Sequence, residues 1–216
     1  MNISKYKTLV FDCDGVVLDS NRVKTDAFFK VALPFGRQYA EALKAHHVEY
    51  GGVSRYAKLA HFIENILPTG TAGANLEALL QAYAAEVQSG LLACGIAEGL
   101  LALREQTIGT NWLIVSGGDQ AELNDIFEQR GILDLFNGGI FGSPDNKLDI
   151  LARELGAQNI TEPALFIGDS KYDFEAAHAH GLDFVFVHNW TEVKDWEEFV
   201  SENDLKSLPS IADLLP

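Results

Sequence analysis

Two carboxylates separated by a single residue, Asp12 and Asp14, follow the apolar run Thr8-Leu9-Val10-Phe11. The run reads as a buried strand. Alternate residues of an extended chain point the same way, so Asp12 and Asp14 can aim at one point while Cys13 turns away. Such a pair repels unless a cation or a proton lies between its members. Gly15 lets the backbone leave the strand sharply. The plain alternative is a strand end followed by a solvated acidic turn.

The elements that must position the pair follow from the apolar pattern. Residues 21–90 contain no convincing strand and read as helices over 21–31, 37–50, 54–66 and 76–89. Pro34, Gly51-Gly52 and the stretch 68–73 punctuate them. Beyond, the chain alternates. Helices are expected over 96–106, 120–130, 146–155, 172–180, 192–200 and 210–215, with strands over 112–115, 140–141, 164–167 and 184–187. Short apolar strands alternating with helices argue for a parallel sheet covered on both faces. The first strand must join that sheet to stay buried, so the helical block is an insertion.

Two more strand ends carry polar residues. Ser116-Gly117-Gly118-Asp119 follows Leu113-Ile114-Val115, and Gly168-Asp169-Ser170-Lys171-Tyr172-Asp173 follows Leu165-Phe166-Ile167. Open parallel sheets bind ligands outside the carboxyl ends of their strands, so these residues can share a crevice with Asp12 and Asp14. Asp169 would be a third carboxylate of a metal site, and hard oxygen ligands suit Mg²⁺. Gly117 and Gly118 free backbone N–H groups to face an anion. Asp169, Ser170 and Asp173 also suit the start of a helix, a role compatible with ligation.

The whole chain bounds the function class. Its 216 residues suit one large domain, or one with a smaller insertion, and its net charge of -15 argues against nucleic-acid or anionic-membrane partners. Cys13 and Cys94 have no metal or redox spacing. The N-terminal residues have no apolar signal core, and no run is long enough to span a membrane; a cytoplasmic location is expected. The six histidines are assigned to packing or surface.

Asp12-Cys13-Asp14-Gly15-Val16-Val17-Leu18-Asp19-Ser20 after an apolar strand resembles the first motif of the haloacid dehalogenase-like (HAD) hydrolase superfamily. The resemblance covers nearly the whole chain, in order. It implies an α/β fold: a Rossmann-like parallel sheet with helices on both faces, from residues 1–19 and 91–216, and an inserted helical cap, 20–90. It makes Asp12 a nucleophile and Asp14 an acid–base group. Asp12, Asp169 and the Asp14 backbone carbonyl match the family's Mg²⁺ ligands. Asp173 would reach the metal through water or orient Lys147. Ser116 matches a hydroxyl that binds a phosphate oxygen. Family members often have Asn where Gly117 stands here, which leaves only backbone donors. Lys147, in Gly142-Ser143-Pro144-Asp145-Asn146-Lys147, matches the family's essential lysine, a cation needed where Asp12 and a phosphate are both negative.

Within the helical block, Gly51-Gly52-Val53-Ser54-Arg55-Tyr56-Ala57-Lys58 resembles the substrate-reading loop of β-phosphoglucomutase-like members. Arg55 and Lys58 share a helical face. Arg55 suits a second anionic group on a substrate; a solvated basic face is the other reading. The family implies a phosphomonoesterase working through an aspartyl-phosphate on a small phosphorylated metabolite. The string around Asp12 resembles members associated with bacterial surface sugars, which favours a sugar or sugar-acid phosphate. Rival readings are a phosphomutase and a non-catalytic binding protein on the same scaffold. A dehalogenase needs no acid at Asp14. Oligomeric state is not legible.

Overall fold

All four residues of the first strand, β1 (Thr8–Phe11), are buried. It lies inside a six-stranded sheet, in a computed structural model that describes residues 2–215. The other strands are β2 (Asn111–Asp119), β3 (Gly139–Ser143), β4 (Ala164–Gly168), β5 (Asp183–Val187) and β6 (Lys206–Leu208). Their order is β3-β2-β1-β4-β5-β6 and every pairing is parallel. The order reverses at β1, which has β2 on one side and β4 on the other. The crevice beyond the ends of β1 and β4 is where such a Rossmann-like sheet binds ligands.

The helices are α1 (Asn21–Ala32), α2 (Arg37–Glu49), α3 (Arg55–His61), α4 (Leu76–Ala93), α5 (Leu100–Gln106), α6 (Gln120–Gln129), α7 (Lys147–Gly156), α8 (Lys171–Ala179) and α9 (Trp196–Glu202). Alternation along the strands separates two cores. Leu9, Phe11, Trp112, Ile114, Leu165 and Ile167 face one side with Leu123 and Phe127 of α6. Val10, Leu113, Val115 and Phe166 face the other, against Ile150 and Leu151 of α7 and Ala176 and Ala177 of α8. The α1–α4 block packs around Phe28, Leu43, Leu59, Phe62 and Tyr83, continuous with the first core. This is the expected α/β architecture with a helical cap.

Several boundaries differ from the expectation, each for a tertiary reason. The helix expected from Ile96 begins at Leu100, because Ile96 bridges to Leu18 and Gly99 adopts a left-handed φ of 78°. The helix expected from residue 192 begins at Trp196; Thr191 and Glu192 instead bond to Asp169 and Thr25. Helix α4 runs to Ala93, past the boundary expected at residue 90. Strand β2 continues through Ser116-Gly117-Gly118 to Asp119, with an irregularity after Val115 that restores pairing at Ser143. The short edge strand β6 was not expected; its exposed-to-half-buried residues carry no apolar run.

Candidate active site

The backbone N–H of Asp12 donates to the Ile167 carbonyl at 2.9 Å, which ties the first acidic residue to β4. Gly15 then turns with φ 76°, and a Cβ there would lie 2.1 Å from Asp169 Oδ2. Only glycine satisfies both the left-handed backbone and the close approach. Asp12, Asp169 and Asp173 are all buried, and each offers a carboxylate oxygen within 4.8 Å of the others.

Lys147, the first residue of α7, enters from below with 1 % exposure. Its Nζ lies 2.9 Å from Asp12 Oδ1 and pairs more closely with Asp173 Oδ1. That ion pair is the contact Asp12 Oδ1 makes among the described residues. Asp173 is fully engaged. Its Oδ2 accepts from the backbone N–H groups of Asp169 (3.2 Å) and Ser170 (3.1 Å) and from Ser170 Oγ (2.7 Å), while Ser170 Oγ caps α8 in return. This arrangement ties Asp173 to Lys147 and to the start of α8.

Burial, reinforced by Asp173 and Asp14 and opposed by Lys147, pushes the Asp12 carboxyl up to about 7. Burial and the nearby Asp12 and Asp173 likewise hold Asp169 well above the carboxylate range. Lys147 is raised despite its burial, by Asp12 and Asp173. Lys147 alone cannot balance three clustered carboxylates, which is why their charged forms are disfavoured, and Asp12 Oδ1 has only its ion pair with Lys147. That donor set fits a hard divalent cation held by oxygen ligands.

The cap supplies the opposite wall. Lys24 of α1 is buried, and its Nζ lies 2.5 Å from Asp14 Oδ2. Ser20 Oγ donates to Asp14 Oδ1 at 2.6 Å. Burial disfavours the Asp14 charge, but Lys24 and Ser20 outweigh it and hold this carboxyl below its usual range. Two adjacent aspartates are thus pushed apart, Asp12 up and Asp14 down. Asn21 Nδ2 donates to Asp169 Oδ2 at 2.7 Å. Gly117 lies directly under the cap loop: a Cβ there would lie 2.2 Å from the Gly52 carbonyl oxygen. An Asn at this position would collide with that loop.

The cap is closed. Arg55 forks onto Glu122 of α6, with Nη1 2.9 Å from Oε2 and Nη2 closer to Oε1. Tyr56 Oη donates to Asp119 Oδ2 at 2.6 Å, and Thr25 Oγ1 to Glu192 Oε2 at 2.5 Å. The free space beneath is about 50 Å³, room for a few waters and far below ordinary ligand pockets of roughly 300–1,000 Å³. A larger groove, about 1,570 Å³, adjoins it between α2 and the 189–195 segment and shares Gly51, Val53 and Glu192 as walls.

The structure therefore brings Asp12, Asp14, Gly117, Gly118 and Asp169 to one cavity with Arg55 and Lys58. Ser116 and Lys147 lie just behind that wall; Ser116 Oγ accepts from Gly118 N at 3.0 Å. Cys13 packs into the apolar core, as alternation requires. Neither Arg55 nor Lys58 is a solvated base: they are 6 % and 1 % exposed. Among the histidines expected to pack or face solvent, His47 is buried against Phe28 and also borders the cavity, with Nδ1 2.8 Å from Lys58 Nζ. Lys24, Asn21 and Glu122 were missed. Ser20, Asn21 and Lys24 fall on one face at the start of α1, a polar cluster directly after the acidic motif that could have flagged the first two. Glu122 carries no local signal.

The comparisons with known proteins give the family and the fold. Residues 6–181 match the profile of the haloacid dehalogenase-like hydrolases, and the chain belongs to that family of enzymes. No protein of curated function matches it. Among solved structures, it is similar to CbbY from Rhodobacter sphaeroides in complex with phosphate (16 % identity, TM-score 0.73, covering 97 % of this chain and 96 % of that one). It is also similar to a β-phosphoglucomutase from Clostridium difficile (20 % identity, TM-score 0.71, 96 % and 92 % covered). A third is described as a phosphoglycolate phosphatase from Lactobacillus plantarum (19 % identity, TM-score 0.72, 98 % of each chain covered). At these identities the likeness is one of fold. Among the described residues no helix is long and apolar enough to cross a membrane.

Proposed function

We propose that this chain is a Mg²⁺-dependent phosphomonoester hydrolase acting on a small phosphorylated metabolite, in the cytoplasm, with residues 20–90 as the cap over a core of 1–19 and 91–216. The observation that carries the reading is the divergent environment of two neighbouring aspartates. Asp12 sits against Lys147 in the acidic cluster, and Asp14 sits against Lys24 and Ser20. Environments that push paired carboxyls apart assign them different roles.

In this reading Asp12 attacks phosphorus in line. The bond to the ester oxygen breaks, that oxygen takes a proton from Asp14, and an aspartyl-phosphate remains. Water then attacks the aspartyl-phosphate, gives its proton to Asp14, and Asp12 is released with inorganic phosphate. Asp14 is ionised in the empty site. Entry of an anionic phosphate raises its affinity for a proton, which loads it for the first step. Lys147, held by Asp173, and the Ser116 hydroxyl with the Gly117 N–H face the phosphoryl oxygens. Mg²⁺, held by Asp12, Asp169 and the Asp14 carbonyl, would supply the remaining positive charge. Closure of the cap excludes bulk water.

The phosphate bound to the CbbY structure and the phosphatase description of another relative favour a phosphate ester. A sugar or sugar-acid phosphate suits the cap loop. The phosphomutase reading is favoured by that same Gly52-Val53-Ser54-Arg55 loop and by the β-phosphoglucomutase relative. A panel of phosphorylated metabolites, assayed for released phosphate with and without Mg²⁺, tests the hydrolase. A product that appears only with a catalytic bisphosphate, with no phosphate released, would establish the mutase instead.

A further inference from the structure

Four basic side chains, Lys24, Arg55, Lys58 and Lys147, are buried around this site. Three have carboxylate partners: Lys24 on Asp14, Arg55 on Glu122, Lys147 on Asp12 and Asp173. Lys58 differs. Among the described residues no carboxylate lies within 4.0 Å of its Nζ. Its contacts are His47 Nδ1 at 2.8 Å, the His47 carbonyl at 3.4 Å and the face of Phe28, 5.7 Å from the ring centre. An amine buried without a counter-charge is costly, and this one lines the substrate cavity rather than the apolar core.

We propose that Lys58, aimed by His47, is the specificity-determining residue of the cap, and that it takes a carboxylate on the alcohol portion of the substrate. This rests on the phosphomonoesterase reading and narrows it to phosphorylated hydroxy acids. The chemistry is complementary at both ends of the cavity. The phosphate meets the acidic, metal-binding end formed by the core. The carboxylate meets the one cation at the cap end whose charge is not already balanced. Two of the three ammonium hydrogens are directed at His47, which leaves one for a ligand oxygen. One available donor with one charge matches a monoanionic carboxylate better than a second, dianionic phosphate. Arg55 is displaced from the reading role by its fork on Glu122.

The electrostatics around Lys58 agree. Burial, with Lys24 adding to it, lowers the Lys58 ammonium to about 7, while Asp14 and Glu192 pull the other way and Lys147 adds to the lowering. Burial also holds His47 well below its usual value, with Lys58 and Lys24 contributing, so the imidazole is neutral and can accept. An arriving carboxylate supplies the counter-charge that Lys58 lacks and returns it to the ammonium form.

The test uses esters that differ only at the far end: ethyl phosphate, carboxymethyl phosphate and ethane-1,2-diyl bisphosphate. They are assayed with Mg²⁺ on the wild type, Lys58→Met and Lys58→Arg. The wild type is expected to prefer carboxymethyl phosphate over ethyl phosphate at least tenfold in kcat/KM, mainly through KM. Lys58→Met is expected to bring that ratio to within twofold of one, and Lys58→Arg to restore part of it. A wild-type ratio near one, or a ratio that survives Lys58→Met, overturns the proposal. A stronger preference for the bisphosphate overturns the carboxylate assignment. A second arm needs no turnover: malonate added to metal-free protein should raise the Tm of the wild type and not that of Lys58→Met. Equal shifts in both overturn the proposal. Failure of the hydrolase reading is seen separately, as no phosphate release from any ester, and the malonate arm still decides the role of Lys58.

Discussion

Lys24 Nζ, from the first cap helix, lies 2.5 Å from Asp14 Oδ2, at the end of the central strand of the core. The pair joins α1 to the end of β1 at the carboxyl that the proposed mechanism uses to carry the proton. It also sets the charge state of that group, since Asp14 is buried and would otherwise favour its neutral form. Lys24→Met removes the counter-ion, so the Asp14 pKa rises. Asp14 must be ionised to take the proton of the attacking water, so the acidic limb of the pH–rate profile should move to higher pH and kcat at pH 6 should fall. Initial rates from pH 4.5 to 9 measure it; an unmoved acidic limb would show that Lys24 does not tune Asp14.

Asp12→Asn is nearly isosteric but cannot attack phosphorus. Turnover should drop by roughly 10³-fold or more, while the thermal melt stays cooperative with a Tm near that of the wild type. Wild-type-like turnover in the folded variant would remove Asp12 from the nucleophile role.

The acidic cluster couples stability to pH and metal. Burial pushes the Asp12 carboxyl from its ordinary 3.8 up to about 7, and Asp169 is raised as well. The metal-free folded state therefore binds more protons than the unfolded chain between these values. This contribution is fully present below the unfolded pKa and is lost as pH rises through the folded one. Metal-free Tm should fall from pH 5 to pH 8. Mg²⁺ should restore it, by ~5 °C at pH 8 and by less than half of that at pH 5. Chelation should abolish activity, and Mg²⁺ should recover it. A Mg²⁺ shift equal at both pH values would contradict the assignment of the cluster as the metal site.

Arg55 and Glu122 latch the cap through a buried fork. Arg55→Ala and Glu122→Gln should each weaken closure, raising proteolysis between α2 and α3 and lowering kcat/KM. Their combination should be no worse than either alone, with a coupling of ~1–3 kcal/mol in a double-mutant cycle. If Arg55 instead reads the substrate, Arg55→Ala raises KM and Glu122→Gln leaves it unchanged.

Gly117 admits no side chain while the cap is closed, because the Gly52 carbonyl occupies the place of a Cβ. Gly117→Ala should leave the core stable and hold the cap open. We expect at least a tenfold loss of kcat/KM on substrates and a larger radius of gyration by solution scattering. Full activity with an unchanged radius would mean that the Gly52 loop yields without cost.

The sequence alone determined the parallel sheet and the edge on which its polar residues gather. The strands are continuous apolar runs and the helices have the 3.6-residue period, so the parallel sheet was legible. Asp12, Gly117 and Asp169 then had to lie at strand ends on one edge, because residues adjoining parallel strand termini share that edge whatever the loops do. The spacing of Asp12 and Asp14 also forced Cys13 into the core. The tertiary structure alone decided what each charge pairs with. Lys24, Arg55, Lys58 and Lys147 are chemically alike in the sequence, and each is a long side chain that a local pattern leaves at the surface. Docking α1 and α3 over the strand ends gave Lys24 to Asp14 and Arg55 to Glu122 and left Lys58 with His47, while α7 brought Lys147 to Asp12 and Asp173. Pairing energies depend on distances of a few ångströms between segments that can lie far apart in the chain, Asp12 and Lys147 among them, and no local spacing encodes those distances.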